Sequence, residues 1–82
     1  MSGEIVERVV RFVVSSIVDD QEAVQVTMVE RDEDEVVAQV RTAPGEMGRV
    51  IGRGGRVARA IRTVAQAAAE EEGLTSGVEF VD

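Results

Sequence analysis

GRVIGRGGRVARAIRT, residues 48–63, holds five of the nine basic residues and four of the eight glycines of an 82-residue chain whose net charge is −7. Between Arg49 and Arg62 there are five arginines and no acid, a local charge of +5, while the rest of the chain carries four arginines and sixteen acids, or −12. Exposed charges more than ~8 Å apart are largely screened at physiological salt. The arginine cluster therefore acts on a ligand as a patch of its own, whatever the total charge.

Met47, Val50 and Ile51 at i, i+3, i+4 predict a helix of barely two turns that stops at Gly52, and a longer helix follows Gly55. On the longer helix Val57, Ala60, Ile61, Val64 and Ala68 are expected to share one face, with Arg56, Arg59, Arg62, Thr63 and Gln66 on the other. The helix–turn–helix unit spans about 46–72. Its acidic end, Glu70 to Glu72, lies against the negative end of the helix dipole, which local rules disfavour.

Gly52-Arg53-Gly54-Gly55 thus joins two helices. A glycine turn alone is most simply a tight connection, but its residues also let backbone approach a ligand. This one ends at a helix N-terminus, where free N–H groups attract anions, and it carries Arg53. A dinucleotide fingerprint would need a third glycine where Val57 stands and a strand before the turn, and a Walker loop would need a lysine, which the chain lacks.

Working outward, Ile5, Val6, Val9, Val10, Val13, Val14 and Ile17 fall on one side of a helical wheel, predicting an amphipathic helix over about 3–16. A strand reading would split Val9 from Val10 and turn Arg8 inward. Alternation in AVQVTMVE and VVAQVRTA predicts strands over about 23–30 and 35–43, joined through the acidic RDEDE as an antiparallel hairpin. VEFV supplies a last strand over about 77–81. The crossover through two helices places that strand parallel to the second. The fold class is α+β: one domain over 1–82, a three-stranded mixed sheet covered by three helices.

The apolar fraction of 44% supports a folded core, built mostly of Val and Ala with Phe12 and Phe80 as the only aromatics. With no Cys and no His the chain lacks thiolate and imidazole ligands and the commonest general base, so no metal, cofactor or catalytic role is expected. The first residues carry Glu4, Glu7, Arg8 and Arg11 within the apolar stretch, unlike a signal peptide or a membrane span. A cytoplasmic, non-enzymatic protein with no membrane partner is the expectation.

On Ile51-Gly52-Arg53-Gly54-Gly55-Arg56-Val57, with Ile61 a turn later, the sequence resembles the K-homology (KH) domain, whose signature is Ile-Gly-x-x-Gly-x-x-Ile. With the opening helix, RTAPGEMGRVIG and the closing VEFVD, the resemblance extends over nearly the whole chain to the KhpA family of small stand-alone bacterial KH proteins, in the type II order α-β-β-α-α-β. Gly54 departs from relatives that more often carry a polar or basic side chain there, leaving Arg53 as the one cationic finger of the loop.

The resemblance implies a clamp on about four single-stranded nucleotides, the loop gripping the backbone beside a groove that receives the bases. Gly52, Arg53, Gly54 and Gly55 form the expected grip, Arg49 and Arg56 flank it, and Val50, Ile51 and Val57 are floor or core. Arg59 and Arg62 extend the exposed face. No aromatic is expected in the groove, so a single site is modest, and the family's habit of self-association or pairing with a larger KH-containing RNA-binding protein fits. The alanine-rich AQAAAEEEG offers a surface for close helix approach. Single-stranded RNA binding in post-transcriptional regulation is the leading expectation; a dimerising interaction subunit, with RNA contact secondary, is the alternative.

Overall fold

The computed structural model describes residues 3–82, so the first two positions of the expected 1–82 span lie outside the described residues. Helix α1 runs Glu4–Ile17, strands β1 and β2 Gln25–Asp32 and Glu35–Arg41, helices α2 and α3 Met47–Ile51 and Arg56–Glu70, and strand β3 Thr75–Phe80. The sheet order is β1-β2-β3, antiparallel between the first pair and parallel between the second. This is the mixed sheet expected from the periodicity.

Val6, Val10 and Val14 of α1 meet Val26 of β1, Val36, Ala38 and Val40 of β2 and Val78 of β3 in one core. Each fully buried Val or Ile contributes ~1.5–3 kcal/mol relative to exposure. The face of α3 differs from the expected one. Its buried residues are Ala58, Ile61, Ala65, Ala68 and Ala69, while Ala60 and Val64 are exposed. Helix α3 packs against both α1 and β3, and small side chains let it approach both. Three alanines of the alanine-rich segment, Ala65, Ala68 and Ala69, are therefore used inside the chain, while Ala67 is exposed.

The strands also start and stop differently from the pattern. Only Glu33 and Asp34 form the hairpin turn, so β1 carries Glu30 to Asp32 with a bulge between Glu30 and Asp32. Thr75 N–H donates to the Asp34 carbonyl at 2.8 Å, which starts β3 two residues early. That contact sets the acidic turn beside the start of β3, whereas α2 and the glycine turn follow the other end of β2.

The acids after α3 acquire a reason. The Glu72 carboxylate accepts from Gly3 N–H at 3.3 Å and from Ile5 N–H at 3.0 Å. It serves the positive end of α1, whose first N–H groups would otherwise lack partners. Glu46 does the same for the chain leaving α1, accepting from Asp19 and Asp20 N–H at 2.6 and 3.0 Å.

Candidate nucleic-acid interface

Helix α2 closes with Gly52 N–H donating to the Gly48 carbonyl at 2.9 Å, and the turn closes with Gly55 N–H donating to the Gly52 carbonyl at 3.1 Å. Gly52 has φ 78° and ψ 170°, a region open essentially to glycine alone. Its missing side chain also makes room, since a Cβ there would stand 2.5 Å from Val57 Cγ2. The sequence therefore cannot place another residue at this position without moving the start of α3.

Gly54 and Gly55 are left-handed, and Gly55 is the residue from which α3 starts. It has no side chain to accept from the first-turn N–H groups, and no acid stands in that turn. Arg56 N–H donates to the Arg53 carbonyl within the turn, and the turn stands at the positive end of a 15-residue helix, the usual setting for an anion.

Four of the five arginines divide into three groups around the turn. Arg53 and Arg56 are exposed, and their side chains make no hydrogen bond or ion pair among the described residues. Arg59 Nη1 donates to the Gly54 carbonyl at 3.3 Å, folding back over the loop. Arg49 faces other partners, with Nη1 3.1 Å from Asp19 and 3.9 Å from Glu46, so part of its charge is used in holding the chain after α1.

Of the apolar candidates, Val50 is fully buried and has no surface to offer, while Ile51 is 37% exposed. Val57, partly buried, fills the space left by Gly52. The core and floor readings thus separate residue by residue.

Arg62 lies along the free edge of β3. Its Nε donates to the Val78 carbonyl at 3.4 Å, and its guanidinium carbon stands 5.2 Å from the centroid of the Phe80 ring, a cation–π distance worth ~0.5–1 kcal/mol at exposed sites. One turn on, the Gln66 Oε1 accepts from Ser76 N–H at 3.0 Å. The Ser76 hydroxyl is buried with no partner among the described residues. A depression of about 470 Å³ opens on the exposed side of α3 between Arg62, Gln66 and Glu70.

An aromatic ring thus stands beside α3. Phe80 pairs with the inward-facing Val40 and packs partly buried against the core at the end of β3, beside α3. The signal was present: Val78 and Phe80 are two apart, so a buried Val78 turns the ring toward the helices. Among the described residues no group of three or more His, Cys, Asp or Glu is arranged to hold a metal ion, and no helix is long and apolar enough to cross a membrane.

The family model described as KhpA/KhpB, KH domain, matches residues 7–80. The chain belongs to this KH family. Its fold is the type II KH fold. Curated KhpA relatives are similar over most of their own length. The chain is 39% identical to RNA-binding protein KhpA of Clostridium perfringens over 92% of its residues and 99% of the relative. It is 42% identical to that of Clostridium acetobutylicum over 84% and 91%, and 43% identical to that of Leifsonia xyli over 85% and 88%.

Proposed function

We propose that the chain acts as one non-catalytic KH unit that binds single-stranded RNA, gripping the phosphate backbone with Gly52 to Gly55 and the start of α3. The single observation that carries this is the turn itself: a helix N-terminus with no side-chain cap, preceded by glycines, with the Arg53 and Arg56 side chains exposed and unpaired beside it. The KhpA relatives are named RNA-binding proteins, which supports the same ligand. Arg59, drawn over the loop, adds charge along the track, and Ile51 supplies apolar surface, whereas Val50 supports from beneath. Bases splayed from a single strand fit such a clamp better than a duplex does. The cellular setting of this reading is the cytoplasm and post-transcriptional regulation.

The decisive experiment replaces Arg53 and Gly54 with aspartates. Nothing lies within 4 Å of a Cβ built on Gly54, so the cost there is its left-handed φ of 64°, ~1–2 kcal/mol at most and less for Asp. Circular dichroism is expected to report an intact fold, and binding to a single-stranded heptamer is expected to disappear. A folded variant that binds with unchanged affinity overturns the clamp.

A second reading, an interaction subunit, draws on the other flank of the helical layer. Phe12 is 73% exposed beside Ile5 and Val9 of α1, and Val64 of α3 is 43% exposed, a surface suited to a second copy or to a larger KH-containing RNA-binding protein. The two readings are compatible. Sedimentation at tens of micromolar is expected to show species heavier than the 8.8 kDa chain, with Phe12→Asp restoring the monomer.

A further inference from the structure

We propose that Phe80 is a stacking platform for one nucleobase, covered in the free protein by the guanidinium of Arg62. The inference rests on the RNA-clamp reading and adds a subsite to it. The ring sits at the end of β3 with Arg62 over its face at 5.2 Å. Arg62 lies seven residues past Gly55, ~10 Å along α3 at 1.5 Å per residue, so a strand held at the turn reaches the ring within the few nucleotides that a KH domain spans.

A guanidinium and a nucleobase are both planar groups that lie flat on an aromatic face. Arg62 therefore occupies the place of a base with a group of similar shape, keeping an aromatic face out of water until RNA arrives. Its tether is weak. Apart from the ring contact, its side chain's one hydrogen bond among the described residues is the 3.4 Å bond from Nε to the Val78 carbonyl, near the limit of hydrogen-bonding distance. It has no carboxylate partner among the described residues to hold it. When a base takes the ring, Arg62 turns outward and its charge meets the phosphate of the same nucleotide, so displacement loses no cation from the site. The Val78 carbonyl that it leaves becomes an acceptor at the strand edge for an exocyclic amine of the base.

The test reads the phenylalanine rings directly. Phe12, on the exposed side of α1, is the internal control. With ring-labelled protein, adding a single-stranded oligoadenylate heptamer is expected to move the Phe80 ring protons upfield and to shift the Arg62 Nε–H signal, leaving Phe12 in place. Phe80→Leu, which keeps an apolar though smaller side chain, is expected to weaken oligoadenylate binding about tenfold and oligouridylate binding less, because purines stack more strongly. The double-aspartate variant at 53 and 54 loses both ligands. Static Phe80 signals in a chain that binds RNA, or equal affinity of Phe80→Leu for oligoadenylate, overturn the platform and leave the clamp standing. Should Phe80→Leu not fold, the ring shifts of the unmodified protein decide alone. A chain that binds neither heptamer overturns the clamp and the platform together.

Discussion

The glycine turn at residues 52–55 and the hairpin turn at Glu33 and Asp34 stand toward opposite ends of the sheet, and they are built by opposite means. The first takes conformations reserved for glycine and sets cations around a helix N-terminus that has no side-chain cap. The second uses two acids, and no residue other than glycine has a positive φ among the described residues; a bulge at Arg31 absorbs the change in register. β2 has seven residues, ~3.3 Å apart, so about 20 Å of sheet lies between the two ends. That is more than two Debye lengths at physiological salt. An acidic total charge therefore says little about the ligand of either end. One turn is fixed by its backbone and the other only by its place between two strands.

The largest break in this comparison comes from Gly52→Ala. The added Cβ would meet Val57 Cγ2 at 2.5 Å and the Val57 backbone nitrogen at 2.9 Å, at a φ of 78°. Backbone strain of ~1–3 kcal/mol and the displacement of α3 combine, so a loss of about 3 kcal/mol in urea unfolding is expected. Gly54→Ala, left-handed but in open space, is expected to lose only ~1–2 kcal/mol. Equal losses at the two positions would show that the turn is held by φ alone and not by the contact with Val57.

Salt is the next lever. Each phosphate neutralised on a single strand contributes about −0.7 to the log–log slope of affinity against salt. Two to three contacts at the turn imply a slope of roughly −1.4 to −2. Raising salt from 50 to 500 mM is then expected to weaken binding by about 25- to 100-fold, measured by fluorescence anisotropy with a labelled RNA heptamer. A flat dependence would mean that the arginines are not at the phosphates.

The element order, the mixed sheet and the glycine turn were legible because each rests on local periodicity or on a short motif with a fixed backbone demand. The face of α3 was not, since alanine carries little signal of burial: Ala65, Ala68 and Ala69 are inside while Ala60 and Ala67 are outside. Nor was the use of Glu72, whose partners Gly3 and Ile5 lie at the far end of the chain. By local rules the residue looked misplaced; the crossover that brings the end of α3 to the start of α1 makes it a cap. Arg49 shows the reverse. Sequence proximity put it with the loop, and tertiary structure pairs it with Asp19. The place of the Phe80 ring beside Arg62 was hidden for the same reason: only the parallel return of β3 sets it against α3.

The smallest expected effect tests the distant end. Neutralising the hairpin turn with Glu33→Gln and Asp34→Asn removes two charges but no backbone bond, since the turn's contact with β3 runs through the Asp34 carbonyl and the Thr75 N–H. Both side chains are exposed, so the change in stability should stay within about 0.5 kcal/mol. At 0.15 M salt the screening length of ~8 Å isolates the glycine turn, and RNA affinity is expected to change less than about twofold. At 0.01 M the screening length grows to ~30 Å, longer than the span of β2, and the same variant should bind measurably tighter than the parent as repulsion of the phosphates is lifted. A gain at low salt that vanishes at 0.15 M fits two ends that sense each other only through unscreened water. A gain of more than about threefold at 0.15 M would mean that bound RNA extends along β3 to the acidic turn, and the site would then cover the whole length of α3 and not just its start.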